Sequence, residues 1–101
     1  MPNIIGGKYK KTILDVPSKL VRPTSAFKRE AIFSILESYA IKHSIEIYKN
    51  KSIIDIFAGS GSVGLEAVSR GMEKSYFIEN NDNVIKILTK NCQKICKKNE
   101  F

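Results

Sequence analysis

No stretch of the 101 residues approaches the roughly 20 consecutive apolar positions that a bilayer-spanning helix needs. The N-terminus MPNIIGGKYKK also lacks the charged start, apolar centre and small-residue cleavage site of a secretory signal. No membrane partner is expected, and the cytoplasm is the expected location. Histidine is represented only by His43, which follows the first expected helix, so no Ser-His-acid triad is readable and a base role for His43 is not expected. Cysteine is nearly as scarce. Cys92 and Cys96 lie four apart on one helix face, but no second pair or histidine cluster completes four ligands, so buried thiols and no metal are expected.

Acidic residues are also in short supply, ten against seventeen Lys and Arg, for a net charge of +7. Their distribution says more than the sum. Residues 1–29 carry seven basic side chains and one acid, residues 30–85 five and eight, and residues 86–101 five and one. A basic arm ahead of a mildly acidic centre suggests contact with a polyanion, for which nucleic acid is the commonest candidate, against the alternative of an ordinary solvated surface.

A 43% hydrophobic content belongs to a globular chain, and 101 residues make about one small domain with a marginal core. NIIGGKYKKTILDV alternates loosely around Gly6-Gly7 and predicts a hairpin or two short strands. Pro17 ends it, and SKLVRPTS is an extended linker because Arg22 precedes Pro23. Ser25 is a candidate N-cap without a capping box, after which Phe27, Ala31, Ile32, Ile35, Leu36 and Tyr39 share one helical face expected to pack. SIIDIF predicts a buried strand, Val63 to Arg70 a helix closed by Gly71, KSYFIEN a second strand, and Asp82 to about Lys98 a final helix. Val84, Ile85, Leu88, Cys92, Ile95 and Cys96 line its face. This βαβα order predicts a parallel sheet in an α/β fold with right-handed crossovers. Two parallel strands leave long edges and a bare face, so the chain reads as the first half of a larger domain.

In GSGSVG, Gly59, Gly61 and Gly64 match G-x-G-x-x-G in the setting that gives the pattern meaning, after a strand and at the opening of a helix. Glu79, twenty residues after Gly59 at the end of the second strand, suits a ribose diol. The ligand therefore carries a nucleoside, unless the glycines are only a tight turn. Asp55 separates the two candidate classes. A pyrophosphate over the helix N-terminus is repelled by a nearby carboxylate, whereas the sulfonium and ammonium of S-adenosylmethionine are attracted by it. The alternative for Asp55 is a carboxylate that caps turn amides. No Gly-Lys-Ser/Thr follows, which excludes a P-loop.

DIFAGSGSVGLEAVSRG resembles the cofactor loop of bacterial 16S rRNA guanine-N2 methyltransferases of the RsmD type, whose run is D-x-F-A-G-S-G-x-x-G-L-E-A-x-S-R-G. IIGGKYK is similar to that family's N-terminal strand, and RPTSAFKREAIFSIL to its helix start R-P-T-x-x-x-x-R-E-x-x-F-x-x-L. These segments cover nearly the whole chain in order. The resemblance implies the first half of a Rossmann-like S-adenosylmethionine-dependent methyltransferase domain, residues 25–101. It is preceded by a basic β-hairpin and linker, residues 1–24, and residues 25–101 stop after the second sheet-packing helix. It also implies that Asp55, Phe57, Ala58, Gly59, Ser60 and Gly61 wrap the methionine end of the cofactor, that Glu79 binds the ribose, and that Asn80 lies beside the adenine. Arg22, Thr24 and Arg29 are expected either near the cofactor carboxylate and loop or in helix capping and surface pairing. Lys8, Lys10, Lys11 and Arg22 are expected to meet phosphates of small-subunit ribosomal RNA, with Tyr9 packing in preference to stacking on a base.

The departure from the family is the catalytic Asp-Pro-Pro-Phe/Tyr, since Pro2, Pro17 and Pro23 are the only prolines present. That motif is expected to hold the exocyclic amine and stack the extruded guanine. No catalytic residue is therefore assigned, and these residues alone are expected to be inactive, with a complementary C-terminal chain as a possible partner. A noncatalytic RNA- or cofactor-binding module is the alternative, and a nicotinamide-binding fragment a more distant one.

Overall fold

The computed structural model describes residues 3–16, 25–56 and 58–95, and within them the elements follow in the expected order. Helix α1 covers Ala26–His43, strand β1 Ser52–Ile56, helix α2 Ser62–Ser69, strand β2 Lys74–Ile78 and helix α3 Asp82–Ile95. The strands pair in parallel, from Ser52 with Lys74 to Ile56 with Ile78, as an α/β unit requires. No described helix is long and apolar enough to cross a membrane.

Local chemistry sets the helix starts. Ser25 caps α1 as expected, its Oγ accepting from the Lys28 amide at 3.1 Å. Asn81 does the same for α3, where its Oδ1 accepts from the amides of Asn83 and Val84 at 3.0 and 3.1 Å. Before α2 there is no side-chain cap; Gly61, in the left-handed region at φ 85°, turns the chain into the helix instead.

Alternation along the strands divides the sheet into two unlike faces. Asp55, Ser75 and Phe77 point toward α2, where the Ser75 hydroxyl donates to the Gly64 carbonyl at 2.6 Å. On the other face Ile54, Ile56, Tyr76 and Ile78 remain 50 to 63% exposed. A parallel sheet normally carries cover on both faces, so this half-covered pair agrees with the expected partial Rossmann-like domain.

The N-terminal hairpin takes a reduced form. One antiparallel bridge joins Asn3 to Ile13, with the Ile4 amide donating to Thr12 and the Lys11 amide to Ile4. A longer ladder does not form because α2 takes the amides it would need. Those of Ile5 and Gly6 donate to Glu66 Oε1 and Oε2 at 2.9 Å each, and that of Tyr9 to Ser69 Oγ at 2.9 Å. Ile4 and Leu14, one from each arm, join Leu65, Leu88, Cys92 and Ile95 in the core. Cys92 is thus buried as expected; Cys96 lies outside the described residues.

Helix α1 corrects the periodicity reading. Phe27 is 83% exposed, Ile35 69% and Tyr39 55%, while the face that packs carries Arg29, Phe33 and Ala40. A buried charge explains the rotation. Glu66 has no exposed surface within α2, and its carboxylate lies 3.3 Å from Arg29 Nε and 2.9 Å from Arg70 Nε. Arg29, equally buried, also donates to the Asn3 carbonyl, and Arg70 continues to Glu37 at 2.9 Å, where the Tyr48 hydroxyl donates as well. Burial lowers the pKa of Arg29 and the Glu66 charge opposes that shift. Surface pairs are worth roughly 0–1 kcal/mol, but an uncompensated buried charge costs several times more, so the ion pair overrides the apolar stripe.

Replacing Arg29 with Met leaves Glu66 short of one cation. We expect Arg29→Met to lose about 3 kcal/mol or more of unfolding free energy in urea melts followed by circular dichroism. A loss below about 1 kcal/mol, the scale of a surface pair, would contradict the placement of this pair in the core.

Candidate cofactor site

The carboxyl ends of β1 and β2 and the start of α2 converge on Gly59–Gly61. Asp55 faces the helix side one residue before the end of β1, half-buried, and its Oδ2 accepts from the Gly64 amide at 3.1 Å. Burial raises the Asp55 pKa above the ordinary carboxylate value, and the single amide bond from Gly64 only partly opposes that shift. Glu79, the first residue after β2, reaches back to the loop. Its Oε1 accepts from the Gly59 amide at 3.1 Å and its Oε2 from the Asn81 amide at 3.2 Å. Two carboxylates therefore flank the glycine loop, and neither takes part in an ion pair among the described residues.

The second and third glycines are required by close approach. A Cβ on Gly61 would lie 2.5 Å from Leu88 of α3, and one on Gly64 would lie 2.4 Å from the Phe77 ring. Gly64 thus lets α2 press on β2 and brings its amide to Asp55. Ala58 is buried; its amide extends the strand pairing to the Ile78 carbonyl, and its own carbonyl closes the turn by accepting from Gly61.

Ser60 is 2% exposed and its hydroxyl has no partner among the described residues, so without loop movement its outward contacts come from the backbone. Its carbonyl accepts from Asn91 Nδ2 at 2.8 Å. Asn80 is exposed beyond β2. Arg29 is occupied by Glu66 and Asn3, away from surface pairing. Thr24, Arg22 and Phe57 lie outside the described residues. Lys8, Lys10 and Lys11 are exposed on the turn between the hairpin arms, and Tyr9 packs part-buried against the core.

Sequence reasoning assigned no role to Asn91 or Glu66. Asn91 is wholly buried, and its side chain accepts from the Asp15 amide at 2.8 Å while donating to the Asp15 and Ser60 carbonyls. It ties the N-terminal segment to the glycine loop. The legible signal was an amide one position from Cys92 in an apolar helical stripe; for Glu66 it was an acid inside an eight-residue helix of small and apolar side chains.

Beside Glu79 an apolar cavity of about 600 Å³ runs along β2, lined by Ile54, Tyr76, Ile78, Ile85 and Leu88 among others. No group of three or more described His, Cys, Asp or Glu residues is placed to hold a metal ion. What the loop offers is backbone amides, close approach and two unneutralised acids. Such a set accepts hydroxyl hydrogens and favours positive charge.

Comparison with known proteins gives the family of the chain. A family profile described as "Conserved hypothetical protein 95" matches residues 2–101. An uncharacterised methylase of Rickettsia prowazekii is 37% identical, over 93% of this chain and 48% of its own length. The ribosomal RNA small subunit methyltransferase D of Escherichia coli (strain K12) is 37% identical over 87% of this chain and 41% of its own. Among solved structures, a putative methyltransferase from Escherichia coli superposes with a TM-score of 0.75 at 31% identity, covering 96% of this chain and 48% of that one. The chain spans about half the length of the relatives it matches.

The raised pKa of Asp55 has a measurable consequence. An acid whose folded pKa exceeds its unfolded value binds more protons when folded, so its contribution to stability falls as pH rises from about 4 through the folded value. Asp55→Asn should therefore raise the melting temperature at pH 7 and change it little below pH 4. Equal or lower stability of the variant at pH 7 would count against a desolvated, unpaired Asp55.

Proposed function

The chain belongs to the family described as "Conserved hypothetical protein 95", and from that premise we propose that it forms the cofactor-binding half of an S-adenosylmethionine-dependent methyltransferase. The proposed substrate is guanine N2 in small-subunit ribosomal RNA, modified in the cytoplasm. The observation that carries the cofactor assignment is the pair of unneutralised carboxylates, Asp55 and Glu79, hydrogen-bonded across one glycine loop. A pyrophosphate would meet two negative charges there; a ligand with a sulfonium, an ammonium and a ribose diol meets complementary ones.

The residues present fit that ligand. Asp55 and the backbone of Ala58, Gly59, Ser60 and Gly61, with Phe57 in the same run, would hold the methionine end; Thr24 is assigned beside it by resemblance. The carboxylate of Glu79 already accepts two amides and, with about four lone-pair sites, retains capacity for the ribose hydroxyls. Asn80 follows at the adenine side. The cofactor supplies an electrophilic methyl group. What these residues do is bind and orient its carrier; presenting the acceptor amine is the work of the Asp-Pro-Pro-Phe/Tyr segment, which the 101 residues do not contain. On this reading they bind the donor and do not transfer the methyl group alone.

Two surfaces complete the proposal. Ile54, Ile56, Tyr76 and Ile78 supply an apolar sheet face for the remaining half of a methyltransferase domain, in the same chain or a complementary one. Lys8, Lys10 and Lys11, with Arg22 by sequence, supply positive charge for ribosomal RNA phosphates.

Calorimetry tests the cofactor reading. S-adenosylmethionine should bind with heat, and Asp55→Asn and Glu79→Gln should each weaken it about tenfold or more, as for loss of a hydrogen bond to a charged group. A nicotinamide dinucleotide that binds tightly and is indifferent to Asp55→Asn would overturn the assignment.

A further inference from the structure

Resting on the RNA reading above, we propose that residues 7–11 are a rigid, pre-shaped docking turn for the RNA phosphate backbone, with Ser69 of α2 as its positioning residue and Glu66 as the anchor beneath. A basic N-terminal arm normally acts by charge alone, loosely and from many conformations. This one is fastened. The Lys8 amide donates to the Ser69 carbonyl at 2.8 Å, the Tyr9 amide to Ser69 Oγ, and that hydroxyl donates in turn to the Gly6 carbonyl at 2.6 Å. Glu66 holds the two preceding amides, and the Tyr9 ring packs on the core.

Gly7 makes the contact possible. It lies at φ 78°, and a Cβ there would fall 1.8 Å from the Ser69 carbonyl oxygen, so the turn is seated directly on the end of α2. Lys11 is also held in the left-handed region, at φ 74°, with its amide on the Ile4 carbonyl at 2.8 Å. A non-glycine residue keeps that conformation only where its surroundings impose it. The side chains of Lys10 and Lys11 meanwhile stand exposed and take part in no ion pair among the described residues.

The carrier of this turn gives it meaning. Helix α2 has no basic residue in its own last turn; Arg70 caps its carbonyl end, and the turn that carries Lys8 is hydrogen-bonded beside it through the Lys8 amide and the Ser69 carbonyl. Its other end opens the glycine loop. Eight residues at 1.5 Å each set the docking turn and the donor loop about 12 Å apart along one stiff element. An RNA strand fixed at the turn thus meets the methyl donor at a set reach, and no ordering of a loose arm is needed on binding.

Filter binding of 16S ribosomal RNA to the full chain tests the inference, first with two variants that keep every lysine and the net charge. Ser69→Ala should weaken RNA binding about three- to tenfold, with the circular dichroism spectrum and S-adenosylmethionine affinity unchanged. Gly7→Ala distorts the turn from its other side and should weaken RNA binding likewise, which keeps the test decisive should Ser69→Ala unfold. Lys10→Ala and Lys11→Ala should each reduce the slope of log K against log salt by about one. A folded Ser69→Ala or Gly7→Ala variant that binds RNA as tightly as wild type would overturn the rigid turn and leave the RNA reading standing. Wild-type protein that binds anionic vesicles but no RNA would overturn both, while the calorimetric test of the cofactor loop is independent of either result.

Discussion

The carboxylate of Glu66 is the constraint on which the rest of the described chain depends. Seven of the eight residues of α2 are buried, so an acid within it cannot reach water and must be neutralised in place. It recruits two guanidinium groups and two backbone amides from three other parts of the chain. Two of these recruitments have a visible cost elsewhere. Arg29 turns inward and carries the packing face of α1 with it, leaving Phe27 and Ile35 in solvent. The amides of Ile5 and Gly6 leave the hairpin ladder, which shrinks to one bridge.

The same short helix joins two unlike chemistries. At its N-terminal end stand Asp55 and Glu79, neither in an ion pair among the described residues, and burial raises the pKa of Asp55. At its carbonyl end the chain places lysines. An unrelieved acid beside a glycine loop is a stability defect in the free protein and an attraction for a cationic ligand. Defects of this kind are characteristic of binding sites.

Much of this was legible beforehand, for physical reasons. The strand-glycine-helix-strand order and the N-cap at Ser25 are local or fixed by short spacing, and the structure has both in place. What escaped was long-range. Helical periodicity ranks Phe27 and Ile35 above Arg29 because it counts hydrophobicity and ignores a partner 37 positions away in Glu66. Asn91 escaped in the same way, since its three hydrogen bonds go to Asp15 and Ser60, 76 and 31 residues distant. Alternation suggested a hairpin at Gly6-Gly7, but nothing local says that α2 will claim its amides.

The central claim is that the loop from Asp55 to Gly61, closed by Glu79, receives S-adenosylmethionine. The most direct measurement is a two-dimensional amide NMR titration of the isotope-labelled chain with that compound. The expected result is saturable movement of the Gly59, Gly61, Gly64 and Asn81 amides, with those of Lys8 to Lys11 unmoved. Saturable shifts confined to other residues, or none at millimolar ligand, would contradict it.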